Sequence, residues 1–178
     1  MRVLSAGAVA IAALVSVVPA SSASPAQSAP QEHCAVLVGK AAEPGGKSPV
    51  QGKACSTRSA ADALASAESQ AARAGSRQAL GAAASTLLVE YYEHSGFGGH
   101  HYAVYGSAGP CDYSGYSLYP DTGWLSWGDT MSAVKGHNDC NWGKFVHQNG
   151  VTVRSYWLPV SNLGAVNDNV GYINVAHR

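Results

Sequence analysis

Two stretches of the chain repeat one pattern, and that repetition restricts the fold more than any other feature. Tyr92 is followed after four residues by Phe97 and then by Gly99, and further on comes Gly128-Asp129-Thr130-Met131-Ser132-Ala133-Val134. A shortened copy opens with Phe145 and Gly150 and closes with Asn167-Asp168-Asn169-Val170-Gly171-Tyr172-Ile173. One four-stranded unit alone cannot bury its apolar face, so the duplication implies two similar supersecondary units packed against each other.

The N-terminus has the marks of an export signal. Arg2 supplies a positive start, Val3 to Val18 is an apolar run without charge, and the small residues Pro19 to Ser24 offer a cleavage site after Ala23. Residues 1–23 are therefore expected to be a signal peptide and the protein to be secreted. The remaining chain, about 155 residues, suffices for one core of ordinary size. Its charges nearly cancel, with 11 basic and 11 acidic residues in the whole chain. A clustered basic face of the kind that phosphate recognition needs is absent, which argues against nucleic acid and anionic membranes as partners.

Four cysteines remain after processing: Cys34, Cys55, Cys111 and Cys140. An even number in an exported chain points to two disulfides with three connectivities open, of which the local pairing Cys34–Cys55 and Cys111–Cys140 is favoured. Zinc is the weaker alternative, because no Cys-x-x-Cys pair occurs.

Residues 24–33, rich in Pro, Ser and Ala, read as a disordered leader. Residues 34–86 read as a small module and linker. Cys34 to Val38 and Val50 to Cys55 form a strand pair around the turn signal Pro44-Gly45-Gly46, and a helix spans 59–74. Ser59 and Asp62 form its capping start and Gly75 lies beyond its end. Its apolar residues are nearly all Ala, with Leu64 the one bulky side chain, so it is expected against a sheet edge or at the surface. From Leu87 the composition shifts: every tyrosine and tryptophan lies after it. Leu87 to Glu93, His101 to Tyr105, Gly143 to His147, Val151 to Leu158 and Tyr172 to Ala176 are the expected strands of a β-sandwich over 87–178.

Two aromatics at the spacing of Tyr92 and Phe97 can stack across a folded hairpin, with Gly99 allowing a positive φ or a close backbone approach. The second copy has Gly150 where Phe97 stands, so its hairpin is expected to be looser or differently folded. In these residues the chain resembles the βγ-crystallin Greek-key superfamily. More closely, it is similar to small secreted actinobacterial proteins of the peptidase inhibitor family I36, through Tyr92 to Gly99, Cys111, Trp127-Gly128-Asp129, Ser132 and Cys140. The resemblance implies a mostly β, crystallin-like Greek-key sandwich preceded by a cystine-closed strand pair and one helix. It also implies a weak calcium site, for which Asp129, Ser132, Asn167 and Asp168 are the candidate ligands, with Asp168 pairing to Ser132. Gly128, Ala133, Gly171 and Tyr172 stand where further polar ligands are expected, and calcium prefers six or more oxygens. Asp, Asn and Gly also make tight turns, and a turn is the competing reading.

His94, His100 and His101 cluster beside Gly98 and Gly99, but adjacent strand residues face opposite ways, so shared zinc binding is disfavoured. No Gly-x-Ser-x-Gly, His-Glu-x-x-His or phosphate-cradling loop occurs, and no catalysis is expected. The aromatic excursion from Gly109 to Ser126, tethered at Cys111, is long for a hairpin connection, and such loops often carry recognition. Tyr113, Tyr116, Tyr119 and Trp124 are its candidate binding residues, while Trp127 and Trp157 are expected in the core. The expected activity is non-catalytic, by resemblance peptidase inhibition by a monomer. A calcium-binding structural or stress protein, and a module binding polysaccharide of the cell wall or cell surface, are the alternatives.

Overall fold

The computed structural model describes residues 32–43, 45–75, 85–120 and 127–178. The expected signal peptide, most of the leader, most of the linker, and Trp124 lie outside the described residues. The described chain is mostly β with one helix. Its strands are β1 (His33–Val38), β2 (Val50–Ser56), β3 (Thr86–His94), β4 (Gly98–Gly106), β5 (Tyr116–Leu118), β6 (Ala133–Gly136), β7 (Trp142–His147), β8 (Val153–Trp157) and β9 (Val170–Ala176). The helix α1 (Ala60–Arg73) joins β2 to the segment before β3. The leader expected to reach residue 33 ends sooner, because His33 already pairs with Ser56 in the ladder.

Two sheets form, one in the order β2-β1-β4-β3-β6 and one in the order β5-β9-β7-β8. Each of the two repeated units lends a segment to the other's sheet. β5 leaves the first unit and pairs with β9, Tyr116 opposite Val175. Reciprocally, Val160 leaves the second unit and exchanges two backbone hydrogen bonds with Val134 of β6, at 2.9 and 2.8 Å. The core lies between the sheets and is built from alternate strand residues. Val89 and Tyr91, Val104, Val134, Phe145, Ile173 and Val175 meet Tyr116, Leu118, Trp127 and Met131 there. Each such large side chain, cut to Ala, would cost about 2–5 kcal/mol.

The N-terminal strand pair does not stand apart from this sandwich. β1 runs parallel to β4, with Cys34 opposite Tyr102 and Val36 opposite Val104, and its Val36 and Val38 belong to the main core. Both local disulfides form: Cys34–Cys55 ties directly opposed residues of β1 and β2, and Cys111–Cys140 ties the start of the excursion to the turn before β7. Loops of 21 and 29 residues closed in this way contribute roughly 3–4 kcal/mol each by restricting the unfolded chain.

The helix starts as its sequence dictates, with Ser59 Oγ accepting from the Asp62 N–H at 3.1 Å. It packs at the edge of the first sheet, as one of the expected placements has it, over the face of the edge strand β2 and its neighbour β1. Ala63, Ala67 and Ala71, fully buried at four-residue spacing, make a flat stripe that meets Leu37, Ala54 and Tyr105. Small side chains on both surfaces let backbones approach until a Cβ on Gly52 would stand 2.0 Å from the Ala67 carbonyl oxygen.

The first repeat hairpin folds as its aromatic spacing requires. Tyr92 and Phe97 meet edge to face at 5.5 Å, and Gly99 has φ 77° where a Cβ would press on Glu93 and His94 at 3.0–3.1 Å. Lys135 caps both rings at 4.8 Å. In the second copy Asn149 replaces this arrangement. Its Oδ1 accepts from the Val151 and Thr152 N–H groups, so the chain turns tightly and β8 begins only at Val153.

Candidate functional site

The two duplicated polar segments meet, and Ser132 donates to Asp168 Oδ1 at 3.0 Å, joining the residues that the resemblance pairs. Asn167 Nδ2 donates to the other Asp168 oxygen at 2.6 Å, and the Asp168 N–H donates to the Met131 carbonyl at 3.0 Å. Asp129 stands apart from this pair, accepting from Gln148 Nε2 at 2.5 Å. Both Asp168 oxygens thus already hold N–H or O–H donors. Gly128 and Gly171 contribute no side-chain oxygen, so the side-chain donors fall short of a six-oxygen cage. The arrangement clamps a turn: Asp168 sits at φ 53°, a left-handed conformation that Asp tolerates better than most residues.

The histidines beside the first hairpin separate. His94 and His100 are exposed, whereas His101 stacks on Tyr92 at 5.5 Å and lies 3.9 Å from Glu90. Glu90 also accepts from Tyr92 at 3.3 Å and pairs with His137 at 2.9 Å, a polar knot on the outer face of the first sheet. Among the described residues, the trio of metal-capable groups closest together is Glu32 with Cys34 and Cys55, and those two sulfurs are bonded to each other.

The aromatic excursion is divided by β5. Tyr116, expected as an exposed binding residue, is fully buried, because a three-residue strand on the sheet edge turns it into the core. Its hydroxyl donates to the Gly109 carbonyl at 2.7 Å, and burial, aided by the Asp112 carboxylate, pushes its pKa up to about 12. Tyr113 points the other way and is 77% exposed. The turn that presents it is fixed by Asp112, which accepts from Lys40 at 2.7 Å and from the Gly115 N–H at 2.8 Å. The Lys40 hydrogen bond holds the Asp112 carboxyl below its ordinary pKa. Tyr119 is half-exposed and packs edge to face on Tyr172 at 5.1 Å.

Trp157, expected in the core, is 66% exposed. In β8 its neighbour Tyr156 takes the inward position opposite Gly143, packing on Phe145 at 5.8 Å and donating to the Leu163 carbonyl. Strand alternation then turns Trp157 outward, directly opposite Trp142 of β7. The outer face of the second sheet is therefore a field of rings. Trp157 and Trp142 form one row, and Ser155, Lys144 and Asn174 the next. Val153, Val146 and Tyr172 follow, with Tyr119 against Tyr172.

The helix packs on the first sheet, so no helix of the described residues covers this face. At its end the Arg178 guanidinium lies over Tyr113 at 4.1 Å and over Trp142 at 4.7 Å. Asn141 holds the Arg178 backbone through two hydrogen bonds of 2.8 and 3.0 Å. Tyr113, Trp142, Tyr172, Asn174, Lys144 and Arg178 line an open groove of about 430 Å³, a volume ordinary for ligand sites. The sequence signal for this surface was the alternation Val153, Ser155, Trp157, in which a serine shares a face with the tryptophan. No family model, no curated protein and no solved structure matches this chain.

Proposed function

We propose that this is a secreted, non-catalytic polysaccharide-binding module built on two interlocked crystallin-type Greek keys. The reciprocal exchange of β5 and of the Val160 segment between the two sheets supports the Greek-key reading. Two disulfides fit an oxidising compartment, and no helix among the described residues is long and apolar enough to cross a membrane.

The observation that carries the function is the pair Trp157 and Trp142, side by side on a sheet face that no helix among the described residues covers. An aromatic ring presents a negative π-face, and the C–H face of a sugar ring is weakly positive and apolar, so the two stack while hydroxyls bond to Asn, Ser and Lys at the ring edges. Strands hold these side chains with little freedom to lose on binding. The peptidase-inhibitor reading is the weaker one, since burial removes Tyr116 from any presented loop. In this reading Ser132 and Asp168 serve as a turn clamp and not as a calcium site.

Affinity electrophoresis of the oxidised protein through gels containing neutral and acidic polysaccharides tests the proposal. At least one polymer should retard the wild type, and Trp157→Ala should weaken binding tenfold or more, about 1.4 kcal/mol, without changing the melting temperature. Unretarded migration in every gel would reject it.

A further inference from the structure

We propose that the polymer held on this face is acidic, a polysaccharide bearing uronate carboxylates; the inference rests on the aromatic face being a glycan site. The groove presents the Lys144 ammonium and the Arg178 guanidinium, and no Asp or Glu side chain among the described residues lines it. The whole chain balances 11 basic against 11 acidic residues, so two cations in one groove reflect local placement and not general basicity. Lys144 stands exposed on β7 with Ser155 and Asn174 as its cross-strand neighbours, and no carboxylate among the described residues pairs with it. Asp112, next in sequence to Tyr113 of the groove, is already held by Lys40.

Arg178 is pre-ordered. Its plane is fixed over Tyr113 and Trp142, and its Nη1 is used by the Tyr113 and His177 carbonyls, leaving its other N–H groups without a partner among the described residues. The hydroxyls of a neutral sugar lying over these two cations would replace their water with hydrogen bonds to uncharged acceptors only. A carboxylate supplies charge-assisted hydrogen bonds, and a planar guanidinium matches it in geometry. The adjoining hollow of about 140 Å³ contains Glu43 beside the Lys40–Asp112 pair, which places the acidic sugar over Lys144 and Arg178 instead.

The test compares polygalacturonate with the same polymer fully methyl-esterified, since esterification removes the charge and keeps the backbone. Calorimetric titration of the oxidised protein should show polygalacturonate binding at least tenfold tighter, with affinity falling as salt rises. Lys144→Gln should shrink that preference to about twofold or less while Trp157→Ala weakens both polymers. Equal affinity for both polymers, with Trp157→Ala still weakening each, would overturn the acidic assignment and leave the glycan reading standing. Dextran sulfate binding as tightly as polygalacturonate, with Trp157→Ala changing neither, would show attraction by charge alone and remove both. Failure of polygalacturonate to bind, while a neutral glucan does, would also refute the uronate proposal.

Discussion

Tyr116 and Tyr91 are both buried in the core, yet their hydroxyls have opposite roles. Tyr116 donates to Gly109, whereas the Tyr91 hydroxyl, set among Tyr102 and Trp127, has no hydrogen-bond partner among the described residues. Removing one member of a made bond strands the other, whereas removing an unmade one relieves desolvation. Tyr116→Phe should therefore cost about 1 kcal/mol in urea melts at neutral pH, and Tyr91→Phe should cost nothing or stabilise slightly. The pH dependence has a definite sign. Burial raises both phenols above their ordinary value, so the folded state favours the neutral form. Their contribution is intact below pH 10 and is lost as pH climbs toward 12 and beyond, where the unfolded chain ionises first. Tyr116→Phe should flatten the fall of the melting temperature between pH 10 and 12, with Tyr91, Tyr102 and Tyr105, which burial also raises, contributing to what remains. An unchanged slope would mean that Tyr116 is not protected as described.

At the scale of elements, α1 adheres to β2 through closeness instead of bulk. Because the Ala67 carbonyl leaves no room for a Cβ at Gly52, Gly52→Ala must lift the helix or bend the strand. A loss of about 1–3 kcal/mol is expected by circular-dichroism melting, against no change for Ala65→Leu on the exposed helix side. The helix, its cap and seven of the nine strands among the described residues were legible because each carries its own periodicity or cap. β5 was not, since three residues cannot show alternation, and so Tyr116 was read with its exposed neighbours. Trp157 was misplaced for a related reason. Composition puts large rings inside, but which of Tyr156 and Trp157 turns inward depends on Gly143 across the ladder, where Phe145 fills the space left by the missing side chain. The nearness of Ser132 to Asp168 was anticipated only through the resemblance to the crystallin motif, as shared calcium ligands, and the two meet in a direct hydrogen bond. The groove required knowing that Arg178 folds back over Tyr113 and Trp142.

In the whole molecule the N-terminal strand pair and helix are bound to both sheets, which has consequences for folding and for the binding face together. β1 completes the first sheet against β4, and the Ser107 N–H donates to the Val38 carbonyl. The loop between β1 and β2 reaches the second sheet, where Ser48 accepts from the Ser117 N–H at 3.0 Å and donates its own N–H to the Ser117 carbonyl at 2.9 Å. This caps the outer edge of β5, which would otherwise be open to pairing with another chain. From the same loop Gly45 lines the aromatic groove. Removal of residues 1–84 would expose Val104 and the β5 edge and take Val36 and Val38 from the core, a loss of the same order as the roughly 5–15 kcal/mol that holds an ordinary domain together. The full oxidised chain should then unfold in one calorimetric transition, and a fragment of residues 85–178 should lack a cooperative melt and bind no polysaccharide. A fragment that melts cooperatively and keeps its affinity would show the strand pair and helix to be an accessory to a self-sufficient sandwich.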